Sequence, residues 1–158
     1  MSSQNVQQRK IIPALLIALV LGCFSFWSTM QADGRNSSIV GLWNVQYFQD
    51  TGEFLFQTYD QWHSDGLEFE VNSIAPGAVC QGTFKQTANG TVHLFHVVWT
   101  FDANGVLSGH IEETQTNNVS QDGNAYAGTF DQKFYDLNGN FLFEATGTLT
   151  ATRLTVQR

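Results

Sequence analysis

Residues 95–115 read FHVVWTFDANGVLSGHIEETQ, in which two runs rich in β-branched and aromatic residues flank the turn sequence Ala103-Asn104-Gly105. Two such runs joined by a short glycine-containing loop predict a β-hairpin. Successive side chains of a strand point to opposite faces, so Glu112 and Glu113 must face opposite sides of the sheet. An unpaired carboxylate that faces an apolar interior is costly, and the inward glutamate is therefore a candidate functional residue.

Turn dipeptides recur between alternating runs from Ile39 onward: Thr51-Gly52, Asp65-Gly66, Asn89-Gly90, Asp122-Gly123 and Asn138-Gly139. With the loop at 75–77 they predict eight strands, near 39–49, 54–64, 67–72, 79–88, 91–101, 107–121, 124–137 and 140–154. Regular spacing without a helical period is typical of a sandwich or an up-and-down barrel. The predicted fold is all-β, an eight-stranded antiparallel up-and-down barrel within residues 39–158.

Turn length predicts which residues lie opposite each other in neighbouring strands. A two-residue turn at 89–90 sets Phe84 opposite Phe95, and a three-residue turn ending at Gly105 sets Phe95 opposite Glu113. Glu113 is then expected to face the barrel interior, and Glu112 to face solvent. The other turns predict the pairs Glu113–Gln132, Phe134–Phe143, Trp43–Asp60 and Trp62–Phe69.

The predicted interior holds a polar cluster among aromatic side chains. Glu113 is expected beside Gln132, with His93 one step away, opposite Gln115 and Gln86. A buried carboxylate near a histidine often marks a functional site, because pKa values shift there. Eight strands enclose a space that side chains can fill or that can hold one small ligand. The expected lining is aromatic: Tyr47, Phe56, Phe84, Phe95, Trp99, Phe101, Phe134 and Phe143.

Gly41-Leu42-Trp43 opens the first strand, and Arg153 is expected to face inward near the end of the last. The register brings Trp43, Asp60 and Arg153 to one corner at the closed end, where a structural role is expected: a guanidinium stacked on an indole and paired with a carboxylate. A G-x-W on the first strand, with its Trp under an Arg from the last, resembles the lipocalin and wider calycin barrels. The resemblance implies an apolar pocket with an open mouth lined by turns 50–53, 73–78, 102–106 and 137–140.

Residues 1–32 have the pattern of an export segment. Arg9 and Lys10 precede the apolar run IIPALLIALVLGCFSFWSTM, residues 11–30, which is long enough for an uncleaved membrane anchor. Ala32 offers a signal-cleavage site, and VLGC at 20–23 looks like a bacterial lipobox. Each reading predicts an exported domain, periplasmic or extracellular, either secreted or membrane-anchored. Residues 33–38 are then a linker, and the membrane is contacted through the N-terminal segment only.

The composition of the exported part disfavours several classes of partner. All 14 acidic residues follow residue 32, against five basic residues there, which leaves a net charge of about −9. Such a surface repels phosphate backbones, so nucleic acid is not an expected partner. Cys80 is the one cysteine of the predicted barrel, which excludes an internal disulfide, and it is expected to be a buried apolar residue.

Neither a metal nor a cofactor is expected. His93 and His96 are three residues apart on a strand, so their side chains face opposite sides and cannot share an ion. His63 and His110 are expected on the outer face, which leaves zinc without three converging ligands. The sequence contains no G-x-S-x-G, P-loop, C-x-x-C or dinucleotide-binding motif.

Three functions are compatible with these features. The favoured one is binding of a small, mostly apolar molecule inside the barrel, with a polar group held by Glu113, Gln115, Gln132 and His93. The second is a cofactor-free isomerase or cyclase, in which Glu113 is the general acid or base and His93 tunes it. The third is a solid barrel that acts as a surface interaction module through its rim loops.

Overall fold

The computed structural model describes residues 37–156 of the 158-residue chain. They form eight strands: β1 (Gly41–Gln49), β2 (Phe54–Trp62), β3 (Leu67–Asn72), β4 (Val79–Gln86), β5 (Thr91–Phe101), β6 (Leu107–Val119), β7 (Ala125–Asp136) and β8 (Phe141–Leu154). Each strand pairs antiparallel with the next, and β8 pairs with β1, so the sheet closes into a barrel. The predicted all-β, eight-stranded antiparallel barrel is confirmed.

The expected signal or anchor segment, residues 1–32, lies outside the described residues, as do residues 33–36 of the expected linker. Within residues 37–156, no helix has the length and apolar character needed to cross a membrane.

Five hairpins share one three-residue loop whose last residue is glycine: 50–52, 64–66, 88–90, 103–105 and 137–139. In each, the residue before the loop donates its N–H to the carbonyl of the residue after the loop, and the glycine donates back to the preceding residue's carbonyl. The five glycines have φ between 75° and 90°. Three-residue loops need this left-handed conformation at their last position, and glycine adopts it without steric cost.

Three hairpins at one end of the barrel contain register shifts, and the hairpins at the other end do not. Near loops 50–52, 103–105 and 137–139, the pairs β1–β2, β5–β6 and β7–β8 each shift register by one residue. The pairs β2–β3 and β4–β5, whose loops lie at the opposite end, show no such shift. Because side chains alternate with a period of two, each one-residue shift reverses which residues of the following strand face inward.

Several expected cross-strand pairs are confirmed. Trp43 lies opposite Asp60, Glu113 opposite Gln132, and Phe134 opposite Phe143. Glu113 faces the interior and is 3% exposed, whereas the side chain of Glu112 is 40% exposed. The predicted faces of β6, β7 and β8 are therefore correct.

The predicted orientation of β5 is wrong. The loop at 88–90 has three residues instead of two, so Phe84 lies opposite Leu94 rather than Phe95. The register shift between β5 and β6 then sets His96, and not Phe95, opposite Glu113. The extra loop residue reverses the expected face of β5, and the register shift between β5 and β6 reverses it back. The later strands therefore keep their expected faces, and β5 is inverted.

The orientation of β3 is reversed for a similar reason. The three-residue loop 64–66 sets Trp62 opposite Glu68, where the expected partner was Phe69. Glu68 and Glu70 consequently face the interior, and both are buried. Phe69 lies on the outer face, where its ring packs edge-on against His63.

Aromatic side chains close the end of the barrel that lies opposite the shifted hairpins. Trp43, Trp62 and Tyr126 are buried there, and Tyr126 packs edge-on against both indoles, with ring centroids 4.8 Å and 5.9 Å apart. The guanidinium of Arg153 lies 4.1 Å above the Trp43 ring, which confirms the predicted stacking.

The expected pairing of Arg153 with Asp60 is replaced by other contacts. Arg153 donates hydrogen bonds to the backbone carbonyls of residues 38, 40 and 123. Asp60 accepts hydrogen bonds from Thr58 (2.5 Å) and Tyr126 (3.0 Å). Burial, together with the charges of nearby glutamates, raises the pKa of Asp60 well above its ordinary value despite these two hydrogen bonds.

Candidate functional site

A cavity of about 670 Å³ enters the barrel at the end with the shifted hairpins. Loop residues 74–78 and residues 101, 102 and 105 border its mouth, so two of the four loops expected there, 73–78 and 102–106, line it. Its walls are largely apolar and include Phe56, Ile111 and Phe134. The inner end is polar and is formed by Glu70, Cys80, His96, Glu113 and Gln132.

Three side chains hold Glu113 at this inner end, and the Tyr47 hydroxyl also lies 3.4 Å from its Oε1. Gln115 Nε2 donates to Oε1 at 2.6 Å, Gln132 Nε2 donates to Oε2 at 2.5 Å, and His96 Nε2 lies 3.4 Å from Oε2. Burial by itself would raise the pKa of Glu113, but the charge of His96 and these hydrogen bonds outweigh it and lower the pKa. Glu113 is therefore a buried carboxylate that stays ionised at neutral pH.

His96 lies between two carboxylates. Its Nδ1 is 3.2 Å from Glu68 Oε2, and its Nε2 is 3.4 Å from Glu113 Oε2. Burial favours the neutral imidazole, but Glu113 and Glu68 together raise the pKa of His96 well above its ordinary value. Gly82 provides the space for this contact, since a Cβ there would lie only 2.5 Å from His96 Cβ and 3.0 Å from Glu68 Oε2.

Glu70 belongs to the same network through Tyr47. The Tyr47 hydroxyl donates to Glu70 Oε2 at 2.7 Å and accepts a hydrogen bond of the same length from Gln115 Nε2. The Cys80 thiol lies against the other oxygen, with Sγ 3.5 Å from Oε1. Burial raises the pKa of Glu70 to about 7, and the charge of His96 only partly opposes this effect.

The cluster carries more carboxylates than one imidazolium can balance. Burial also raises the pKa of Glu68, although His96 opposes the shift through a hydrogen bond and its charge. Burial and the neighbouring glutamates raise the pKa of the Cys80 thiol, so the cysteine is protonated. Glu68, Glu70 and Glu113 thus compete for the positive charge of His96, and Glu70, with a pKa of about 7, is partly protonated at neutral pH.

Four residues expected inside the barrel lie on its surface or rim. His93, Phe95 and Trp99 are exposed on the outer face of β5; Trp99 is 62% exposed and packs edge-on against His110. Phe101 is 55% exposed and borders the mouth of the cavity. These positions follow from the inversion of β5, which moves alternate residues to the opposite face.

The other expected site residues lie within the barrel at different depths. Gln115 and Gln132 contact Glu113, whereas Gln86 binds the backbone of residues 37 and 39 at the closed end. Phe84 packs edge-on against Trp62, below the polar cluster. Phe143 stacks on Phe134 with ring centroids 4.1 Å apart and is half exposed near the mouth.

Three polar residues of the inner end are not among the site residues predicted from the sequence: Glu68, Glu70 and His96. Cys80 was expected to be buried, and it is, but it lies against Glu70 and not in a purely apolar setting. The signal that identifies these residues is the shared x-x-Gly loop. If 64–66 and 88–90 are assigned three-residue loops, Glu68 and Glu70 turn inward.

Three potential metal ligands converge at the inner end. Ligand atoms of Glu70, Cys80 and His96 all lie within 4.8 Å of one another. The expectation that three ligands would not converge is therefore wrong, although His93 and His96 do face opposite sides as predicted. The inner end can thus accept hydrogen bonds, exchange protons or coordinate a cation.

Comparisons of this chain with protein-family models, with curated proteins and with solved structures found no match.

Proposed function

We propose that this barrel binds a small, mostly apolar molecule whose polar end group reaches the cluster around Glu113. The observation that carries the proposal is the open cavity of about 670 Å³, with apolar walls and a buried polar inner end. Ligand pockets for small molecules typically measure about 300–1,000 Å³ and combine apolar walls with a few fixed polar groups. An open cavity also argues against the solid-barrel alternative.

The polar end favours a ligand that donates hydrogen bonds. Glu113 lines the cavity as an ionised acceptor that Gln132 and Gln115 already hold in place, and the carboxyl group of Glu70 lines the cavity beside it. A carboxylate ligand would meet like charge there, whereas an amine or hydroxyl group would meet acceptors that are already oriented. We expect an alkyl amine or alcohol to bind more tightly than the carboxylate of equal chain length.

The calycin-like assignment and the location belong to the same proposal. The Arg153–Trp43 stack at the closed end supports a calycin-like barrel. The export pattern of residues 1–32 supports a secreted or membrane-anchored protein that meets its ligand outside the cytoplasm.

Displacement of a neutral, polarity-sensitive dye such as N-phenyl-1-naphthylamine tests cavity binding, with chelator present throughout. Val98→Trp fills the cavity that Val98 lines and should weaken dye binding by about tenfold or more. The matched control is Val97→Trp, because Val97 is the neighbouring valine on the outer face and is 39% exposed. Equal dye binding in the two folded variants, or no binding by the wild type, would refute the proposal.

A cofactor-free isomerase or cyclase is the second candidate, and the pairing of Glu113 with His96 favours it. An ionised carboxylate 3.4 Å from a protonated imidazole can supply both a base and an acid. His93, the acid–base partner expected from the sequence, lies on the outer face, and His96 takes its place. Glu113→Gln should then abolish product formation while dye binding is retained.

A further inference from the structure

Glu70, Cys80 and His96 lie on three consecutive strands at the inner end of the cavity. Glu70 on β3 is directly opposite Cys80 on β4, and His96 on β5 is opposite Gly82, two residues further along β4. All three side chains are buried to 3% exposure or less, and all three line the cavity. Their ligand atoms lie within 4.8 Å of one another.

We propose that these three residues form a zinc site with one open coordination position toward the cavity. Zinc sites that keep an open position commonly use three protein ligands and leave the fourth for water or a substrate. A thiolate, an imidazole and a carboxylate form a donor set that suits zinc and does not suit magnesium or calcium, which prefer oxygen ligands.

The outer contacts of two of the ligands have the pattern of a second coordination shell. His96 Nδ1 faces Glu68 Oε2 at 3.2 Å, so we assign Nε2, which lies 3.4 Å from Glu113 Oε2, as the metal-binding nitrogen. Metal-binding histidines usually donate their other N–H to a carboxylate or carbonyl in this way. Glu70 is held likewise, since Tyr47 binds Oε2 and leaves Oε1 toward Cys80 Sγ, 3.5 Å away.

The charge of the cluster also fits a cation. Three buried glutamates surround one histidine, and within residues 37–156 Glu68 Oε1 is one of the buried oxygens without a hydrogen-bond partner. Buried carboxylates are costly unless they are paired or bind a metal. A divalent ion would balance the charges of the Glu70 carboxylate and the Cys80 thiolate, with neutral His96 as the third ligand, and the displaced protons leave to solvent.

Titration with the metal alone tests the site, and it does not depend on the organic ligand proposed above. The full chain with Cys23→Ser, in which Cys80 is the only thiol, is stripped with chelator and titrated with Zn²⁺ against a chromophoric competitor. One equivalent should bind. Co²⁺ in place of Zn²⁺ should give a thiolate-to-cobalt charge-transfer band that disappears in Cys80→Ser.

Matched variants separate ligands from bystanders. Glu68→Gln should lower Zn²⁺ affinity by about 10–100-fold while the charge-transfer band persists, as expected for a residue that orients a ligand. His96→Gln should abolish stoichiometric binding, whereas His93→Gln, on the outer face of the same strand, should leave binding unchanged. Near-ultraviolet circular dichroism verifies that each variant is folded.

The proposal is overturned if the folded wild type takes up no stoichiometric Zn²⁺. It is equally overturned if bound Co²⁺ shows no thiolate band, or if His96→Gln and His93→Gln bind zinc alike. Dye binding to the chelator-treated protein is measured separately, so a failed zinc site leaves the cavity proposal standing.

Discussion

Replacement of Glu70 by Gln should change how the stability of the metal-free barrel depends on pH. Glu70 is buried, and its pKa in the folded protein is about 7 instead of the ordinary 4.5. Glutamine has nearly the same shape and imitates the protonated acid, and its amide oxygen can still accept the hydrogen bond from Tyr47. The substitution therefore removes a titration while it preserves packing.

The sign and size of the effect follow from linkage. Below about pH 4.5 Glu70 is protonated in both states, and its contribution to stability is fully present. As pH rises from 4.5 toward 7, only the unfolded chain ionises, so that contribution is lost. One pH unit corresponds to about 1.4 kcal/mol, so the difference between 4.5 and about 7 amounts to about 3 kcal/mol.

Denaturant unfolding at several pH values between 4 and 8, in the presence of chelator, measures this difference. The free energy of unfolding of Glu70→Gln, relative to the wild type, should rise by about 3 kcal/mol across a window that ends slightly above pH 7. Glu53→Gln, at an exposed loop position, is the control and should show a constant difference. A constant difference for Glu70→Gln as well would refute the assignment of Glu70 as a buried, protonated carboxyl group.

Two further substitutions test the geometry. Gly82→Ala should destabilise the barrel by about 1–3 kcal/mol in a urea titration, because the added methyl would lie 2.8 Å from the Phe95 carbonyl oxygen and 2.5 Å from His96 Cβ. The control is Thr83→Ser, at an exposed position of the same strand, and its free energy of unfolding should stay within about 0.5 kcal/mol of the wild type. Arg153→Met should lower the melting temperature through a loss of about 2–4 kcal/mol, because three carbonyl hydrogen bonds and the contact with Trp43 disappear. Arg153→Lys should recover only part of that loss, since one ammonium cannot reproduce the planar fork, and full recovery by Lys would contradict this role.

The sequence was sufficient to predict the architecture and the inward position of Glu113. Glycine loops recur at nearly regular intervals, and the strands between them start and end within about two residues of the predicted bounds. The pairing of Glu113 with Gln132 was predictable because the turn at 122–123 and the alternation of β6 and β7 agree. Local signals of this kind depend on few assumptions about the rest of the fold.

The faces of β3 and β5 could not be predicted from composition. β5 is apolar on both sides, with Val92, Leu94 and Val98 inside and Phe95 and Trp99 outside. On β3, the apolar residue Phe69 alternates with glutamates, and the usual rule of apolar residues inside selects the wrong face. Burial of Glu68 and Glu70 violates that rule, and such violations concentrate at functional sites.

The loop at 88–90 shows how a segment remote from the cavity determines the chemistry inside it. Compared with a two-residue turn, this three-residue loop reverses which side chains of β5 face inward. The register shift between β5 and β6 restores the expected face of β6, so either feature alone would invert the strands that follow. If Ala88 instead paired with Thr91 across a two-residue turn at 89–90, Phe95 would lie opposite Phe84 and would enter the barrel in place of His96. Glu113 would then lose its imidazolium partner, and the cavity would lose the histidine that the proposed acid–base chemistry and the proposed zinc site both require. The turn at the closed end therefore determines which side chain β5 places beside Glu113 inside the cavity.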